Sequence, residues 1–325
     1  MKQARFVADR EVHWERYRQQ LQRLQSRRRG ATPPANFPAQ YRRLCNDLAV
    51  AVSRGYSLAL IQQLQSWIHA GHALLYRPQT TVSGHIAAFF SHGFPSMVRA
   101  EWRLVALCSV LLFGPIIWLF WHIGSTPEFV YRVLSPEMVA QYEQMYARDP
   151  GTGRDGRAES EVLMFAFYIM NNVGVALRTF AGGLLFGVGS GLILLLNGVM
   201  IGAVAAHLSF EGLHENFWSF VIGHGALELP AIVLAGVAGA RMGLNLLLPG
   251  RLSRLAALRQ GAGQAVRLLY GVMVMLLLAA GLEAFWSAST APVMVKYLVG
   301  GALWLGVIAY FLLAGRRTGR VPDGR

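Results

Sequence analysis

The chain reads as an all-α, polytopic integral-membrane helical bundle preceded by a cytoplasmic helical head. Three observations predict this. First, of 325 residues 54% are hydrophobic and only 14% charged, whereas soluble domains carry about 25% charged residues. Second, apolar runs long enough to cross a bilayer recur from residue 104 to residue 314; about 20 such residues suffice for a spanning helix. Third, charge is unevenly placed. Residues 1–100 hold 14 Lys+Arg against Asp9, Glu11, Glu15 and Asp47, a net +10, while no acid occurs between Leu229 and Leu282.

The head occupies residues 1–80. Residues 5–29 form a charged helix with a thin apolar stripe of Phe6, Val7, Trp14, Tyr17, Leu21 and Leu24. The run ATPPANFP at 31–38 ends it, because proline and its preceding residue resist helix. Helices near 39–54 and 57–76 follow, and Leu44, Leu48, Leu60, Ile61, Leu64, Trp67 and Ile68 close a small bundle. Residues 81–102 contain Ile86, Phe89, Phe90, Phe94, Met97 and Val98 among small and basic residues. They are expected to lie as an amphipathic helix in the membrane interface. The first residues lack an apolar stretch and do not read as a cleavable signal. Cys45 in the head and Cys108 in the first span are not expected to pair.

The membrane domain is expected over 103–315, with a tail at 316–325. Its first span, near 104–124, carries Trp118 and Trp121 toward its far end, where aromatic side chains favour the interface. Residues 125–161 then form a polar loop of net charge −3, with a short helix near 136–148 and a flexible RDPGTGRDGR stretch. Further spans are expected at 181–208, 217–240, 266–286 and 294–314. Arginines 241, 251, 254 and 259 crowd a connector at 241–265, and 316, 317 and 320 follow the last span. Positive charge stays cytoplasmic, so the head, the connector and the tail belong inside and the 125–161 loop outside. That parity needs a crossing at 162–178, a short segment carrying Asn171, Asn172 and Arg178. Six crossings result; a re-entrant 162–178 would leave five and break the charge rule. The basicity is thus a membrane signature, contacting anionic lipid rather than nucleic acid.

Within the apolar runs, His224 and Glu228 sit four residues apart in FWSFVIGHGALELPAIVLAGVAGA, on one helical face. A charge at the bilayer centre costs at least ~2.5–3.5 kcal/mol, so such groups face a cavity or a partner. Pro230 follows and is expected to break the helix near 226. Asn171, Asn172 and Asn197 are amides in apolar surroundings, and Arg178 either snorkels or pairs with Glu228. Together Asn171, Asn172, Arg178, Asn197, His224, Glu228 and Pro230 outline an intramembrane polar site. Gly183, Gly187 and Gly191 follow GxxxGxxxG, Gly198 and Gly202 repeat it, and Gly239 lies on a small-residue ridge with Ala231, Ala235 and Gly243. Such spacing lets helices approach closely, within one chain or across a homodimer. His207, Glu211 and His214 are metal-capable residues without a ligand signature such as HExxH, so no metal site and no cofactor is expected. No nucleophile–base set, phosphate loop or dinucleotide fingerprint is found, and the chain is expected to be no enzyme.

The order Asn171–Asn172, Arg178-Thr-Phe, Gly182–Gly183, Asn197–Gly198, then His224–Gly225 with Glu228, Pro230 and Ala231 resembles the bacterial stage II sporulation protein M family. The resemblance covers about 161–315, and the long head resembles the family's non-sporulation branch. It implies a multi-pass inner-membrane protein that anchors or scaffolds partners in envelope remodelling or membrane homeostasis. The alternative reading is a transporter or channel that uses the His224–Glu228 site.

Overall fold

The computed structural model describes residues 3–26, 34–75, 82–147 and 158–316. The RDPGTGRDGR stretch at 148–157, residues 31–33 of the breaker and the 317–325 tail lie outside the described residues. Every described element is helical. The chain divides into two compact units, residues 1–86 and 87–325.

The first unit is built from α1 (Gln3–Ala8), α2 (Glu11–Ser26), α3 (Phe37–Ser53) and α4 (Leu58–Leu75). The expected single helix over 5–29 is interrupted at Asp9–Arg10, which form a turn. The apolar stripe is otherwise where its periodicity put it. Phe6, Trp14, Tyr17, Leu21, Phe37, Leu44, Ala51, Leu60 and Leu64 are all buried in one core. Tyr17 stacks on Phe37, with ring centroids 5.2 Å apart, and burial pushes its phenol well above the usual tyrosine range. Asp47 is buried, accepting from Arg10 Nε at 2.6 Å and Trp14 Nε1 at 2.9 Å. A buried carboxylate must find such donors, because desolvation otherwise penalises it by several kcal/mol.

The second unit carries six helices long and apolar enough to cross a membrane: α7 (Trp102–Ser125), α9 (Ala158–Ala181), α10 (Val188–Phe210), α11 (His214–Leu247), α12 (Arg254–Gly281) and α13 (Val293–Leu313). α9 is one unbroken helix of 24 residues, so the 162–178 segment does not turn back. Outward positions are apolar: Leu107, Val110, Ile117, Leu192, Leu298, Leu305 and Leu312 are all exposed. A water-soluble bundle would place polar residues there; a lipid-facing one would not.

α11 is the central helix. It packs against α7, α9, α10, α12 and α13, and residues 231–239 are buried on every face. Alanine and glycine dominate that stretch, which suits lipid, where close backbone approach replaces hydrophobic driving force. The sequence expectation of a proline break fails here. Pro230 lies inside continuous α11; its missing amide removes one helical hydrogen bond, which the surrounding helices outweigh. Both flanking helices also extend beyond expectation, so the 241–265 connector shrinks to residues 248–253.

Two further corrections concern the glycines and the segment before α7. The expected span at 181–208 begins only at Val188. Residues 182–184 form a short 3-10 turn and Gly187 has φ +84°, a conformation that side chains rarely tolerate. Gly183, Gly187 and Gly191 are therefore a tight turn and a helix start, not a helical ridge. They still serve packing: a Cβ at Gly183 would strike the Gly239 backbone, and one at Gly187 would press on Ala240 at 3.3 Å. Gly198 and Gly202 lie against the backbone of α7 at Leu112 and Ile116. Ser190 Oγ ties the turn together by donating to the Thr179 carbonyl at 2.6 Å.

The expected interfacial helix at 81–102 is three pieces: α5 (Val82–Ala88), a π-helical turn at Phe89–Gly93 and α6 (Phe94–Ala100). α6 does not merely lie on a surface. Phe94 is 1% exposed and Val98 6% exposed, both in the main core with α12. Tyr310 Oη donates to the Phe90 carbonyl at 2.6 Å, and Arg99 Nη1 to that of Phe311 at 2.8 Å.

The two ends of the unit are each marked by a contact between a basic and an acidic side chain. Arg241 of α11 meets Glu101, just before α7, at 3.1 Å. At the opposite end His207 of α10 meets Glu143 at 2.8 Å. Glu143 lies on α8 (Pro136–Tyr146), the short helix expected between the first two spans. Ser135 caps α8 by accepting from Met138 N at 3.3 Å, and its hydroxyl holds the Glu137 carboxyl below the usual range.

Candidate functional site

The polar residues of α11 meet partners from two other helices. His224 is 6% exposed, and Glu228 lies one turn further along. Facing them is a π-helical turn at Leu282–Ser287, which ends α12. A π-turn closes i→i+5 hydrogen bonds and is wider than an α-turn, so Glu283 and Ser287, four residues apart, present to the same neighbour. A ring nitrogen of His224 and one carboxylate oxygen each from Glu228 and Glu283 all lie within 4.8 Å of one another. Ser287 Oγ holds His224 Nδ1 at 3.1 Å.

α9 completes the cluster. Asn172, 2% exposed, turns its Nδ2 toward Glu283 Oε2 in a long contact of 3.5 Å and lies beside Glu228. Asn171 Nδ2 donates to Asn172 Oδ1 at 3.1 Å, which orients the Asn172 amide. At 1.5 Å per residue, Asn172 lies roughly 21 Å along a helix about 36 Å long, so the cluster sits inside the span. Behind it Lys296 of α13 is buried and donates to the carbonyls of Ser287 and Ser289, at 2.8 Å each.

Of the residues the sequence singled out, Asn171, Asn172, His224 and Glu228 come together. Arg178 is exposed and makes no ion pair with Glu228 among the described residues. Asn197 donates to Ile193 O of its own helix at 2.7 Å and stays outside the cluster. The metal-capable trio also separates: His207 is buried against Glu143, while Glu211 and His214 are exposed. Glu283, Ser287 and Lys296 were not anticipated. The signal for Glu283 was present, as a lone acid closing the acid-free stretch that begins at Leu229.

Chemically, the cluster can take up positive charge. Two carboxylates and an imidazole whose ligand atoms lie within 4.8 Å of one another form a set that can close on one small cation by small side-chain rotations. A bundle held only by packing gains nothing from bringing two acids together, since like charges in a low-dielectric interior repel. A cleft of about 710 Å³ opens elsewhere, lined by Ile116, Ile117, Phe120, Trp121, Phe210 and Trp218; its walls are apolar and it does not include the cluster.

These features define a polytopic helical membrane protein with a carboxylate–imidazole site inside its bundle. The family model described as Stage II sporulation protein M matches residues 105–288, and the chain belongs to that family. The matched segment spans α7 to the π-turn and includes every residue of the cluster. A second model, a domain of unknown function (DUF8413), matches residues 4–77, which coincides with the four-helix unit. No curated protein and no solved structure matches the chain significantly.

Proposed function

We propose that the chain is a non-enzymatic, multi-pass inner-membrane protein that binds and moves a cation through the His224–Glu228–Glu283 cluster. One observation carries this reading: two carboxylates and an imidazole from different helices converge within 4.8 Å inside membrane-spanning helices. Ionisable residues inside membrane-spanning helices are rare and by default mark a functional site such as an ion or proton path. The arginine distribution supports cytoplasmic termini and an external 125–161 loop.

The test is flux in proteoliposomes holding the full chain, with pH-sensitive and divalent-sensitive dyes inside. Wild-type protein is expected to carry a proton or cation flux that Glu228→Gln abolishes. Equal flux in the two proteins removes Glu228 from the mechanism, and no flux in either overturns the transport reading.

A second reading, a scaffold that recruits envelope proteins, rests on a different observation. Residues 1–86 form a compact unit with their own buried core and a family match of their own. Deleting 1–80 is then expected to abolish co-purification of partners while the membrane unit still folds. Partners retained after the deletion would rule out the head as the recruiting element. A homodimer through lipid-exposed faces belongs to the same reading.

A further inference from the structure

The geometry points to a divalent first-row transition-metal ion, of the Mn²⁺, Fe²⁺ or Zn²⁺ kind, as the occupant of the cluster, bound by His224, Glu228 and Glu283 with Asn172 as supporting amide. The inference rests on the cation reading above and names the cation's class.

Distance is the first argument. Nitrogen and oxygen ligands bind such ions at about 2.0–2.2 Å, so two ligand atoms of one ion lie at most roughly 4.4 Å apart. The three side chains offer atoms within 4.8 Å of one another, a span that small side-chain rotations close. The side chains come from α11 and from the π-turn after α12, so an ion there would tie the central helix to its principal neighbour.

Charge is the second. Two ionised carboxylates carry −2, and a divalent ion cancels it; a monovalent ion leaves a net charge in a low-dielectric interior, where it costs several kcal/mol. Of the nearby basic groups, Lys296 donates to the Ser287 and Ser289 carbonyls and Arg178 on α9 is exposed.

Ligand type is the third. Imidazole selects transition metals over Mg²⁺ and Ca²⁺, whereas carboxylates select against soft Cu(I). The cluster has one nitrogen and two carboxylates, with no cysteine near: Cys108 is buried on α7. Supporting contacts are also those a metal site needs. Ser287 fixes the His224 ring at Nδ1 and Asn172 lies beside both carboxylates, an outer shell that orients ligands before the ion arrives.

The experiment is Mn²⁺ titration of the purified full chain in detergent, with free Mn²⁺ read by its paramagnetic resonance signal. One ion per chain is expected in the wild type. The Glu228→Gln/Glu283→Gln pair is expected to lose it, and His224→Gln alone to weaken it by about tenfold or more. Glu143→Gln, at the distant His207 pair, is expected to bind as the wild type does. Helical circular dichroism and gel-filtration profile establish that each variant is folded, and a misfolded double variant leaves His224→Gln to decide. Absence of Mn²⁺ binding in the wild type, or undiminished binding in folded His224→Gln, overturns the inference. Proton flux without Mn²⁺ binding would end the metal assignment and leave transport standing; Mn²⁺ binding without flux would do the reverse.

Discussion

The ammonium of Lys296 donates to the carbonyl oxygen of Ser287 at 2.8 Å, and Ser287 in turn contacts His224 Nδ1 through its hydroxyl at 3.1 Å. α13 therefore reaches the cluster through the π-turn. Lys296→Met keeps the stem of the side chain but strands the buried Ser287 carbonyl and the half-buried Ser289 carbonyl, the buried one worth roughly 1–3 kcal/mol. Unfolding followed by circular dichroism in detergent is expected to show a loss of about 1–3 kcal/mol. Mn²⁺ affinity should fall as well, since Ser287 no longer holds the imidazole. An unchanged midpoint would mean that the π-turn is held by other contacts.

Glu228 and Glu283 bear on stability in the opposite direction. Two carboxylates within 4.8 Å of each other, when both are ionised, repel by at least roughly 3 kcal/mol at an effective dielectric of about 20. Glu228→Gln or Glu283→Gln removes that repulsion and keeps an acceptor for Asn172. In metal-free buffer either variant is expected to unfold no earlier than the wild type, although binding and flux are lost. Functional sites often carry such a stability cost. A drop of more than about 1 kcal/mol in both variants would instead identify the carboxylates as structural supports.

Much of the architecture was legible in the chain. Five clear apolar runs and the arginine parity that asked for a sixth span at 162–178 match the six helices long and apolar enough to cross a membrane, α9 among them. The head's stripe of Phe6, Trp14, Tyr17 and Leu21 was legible because helical periodicity reports burial directly. The site was half legible. His224 and Glu228 share a helix, so spacing alone placed them together. Glu283 joins them from another helix, and which residues face each other across an interface depends on packing register, which no single helix's pattern encodes. Two local expectations failed for related reasons. Pro230 looked like a break because its intrinsic cost is large, yet α11 is enclosed by five helices. Gly183, Gly187 and Gly191 matched a helical spacing, but Gly187 supplies a left-handed turn instead.

The interface between α7 and α10 gives a packing test. A Cβ at Gly202 would lie 2.7 Å from Ile116 Cα and 3.2 Å from the Pro115 carbonyl oxygen, all backbone atoms that cannot swing aside. Gly202→Ala is expected to destabilise by about 1–3 kcal/mol. Gly306 on α13 is the control, because a Cβ there meets nothing within 4 Å. Gly306→Ala should be neutral or stabilising by up to ~1 kcal/mol, from helix propensity. Equal effects at the two positions would show that helix propensity, not close approach, governs these glycines.

Asp47 offers a test confined to the head. Its carboxylate accepts from Arg10 Nε at 2.6 Å and Trp14 Nε1 at 2.9 Å, joining α2 and the turn before it to α3. Asp47→Ala leaves a buried indole N–H and a guanidinium without their acceptor, which in comparable pairs costs about 3–5 kcal/mol. For a unit of this size that is a large share of the total stability. Limited trypsin digestion of the full chain reads the outcome, since arginines are plentiful in the head. Cleavage within residues 3–75 should accelerate by more than tenfold in Asp47→Ala. The two units have separate cores, so Mn²⁺ binding and the unfolding midpoint of the membrane unit should stay as in the wild type. Loss of Mn²⁺ binding in Asp47→Ala would show that head and membrane unit fold as one cooperative body, and would remove the basis for assigning recruitment to the head alone.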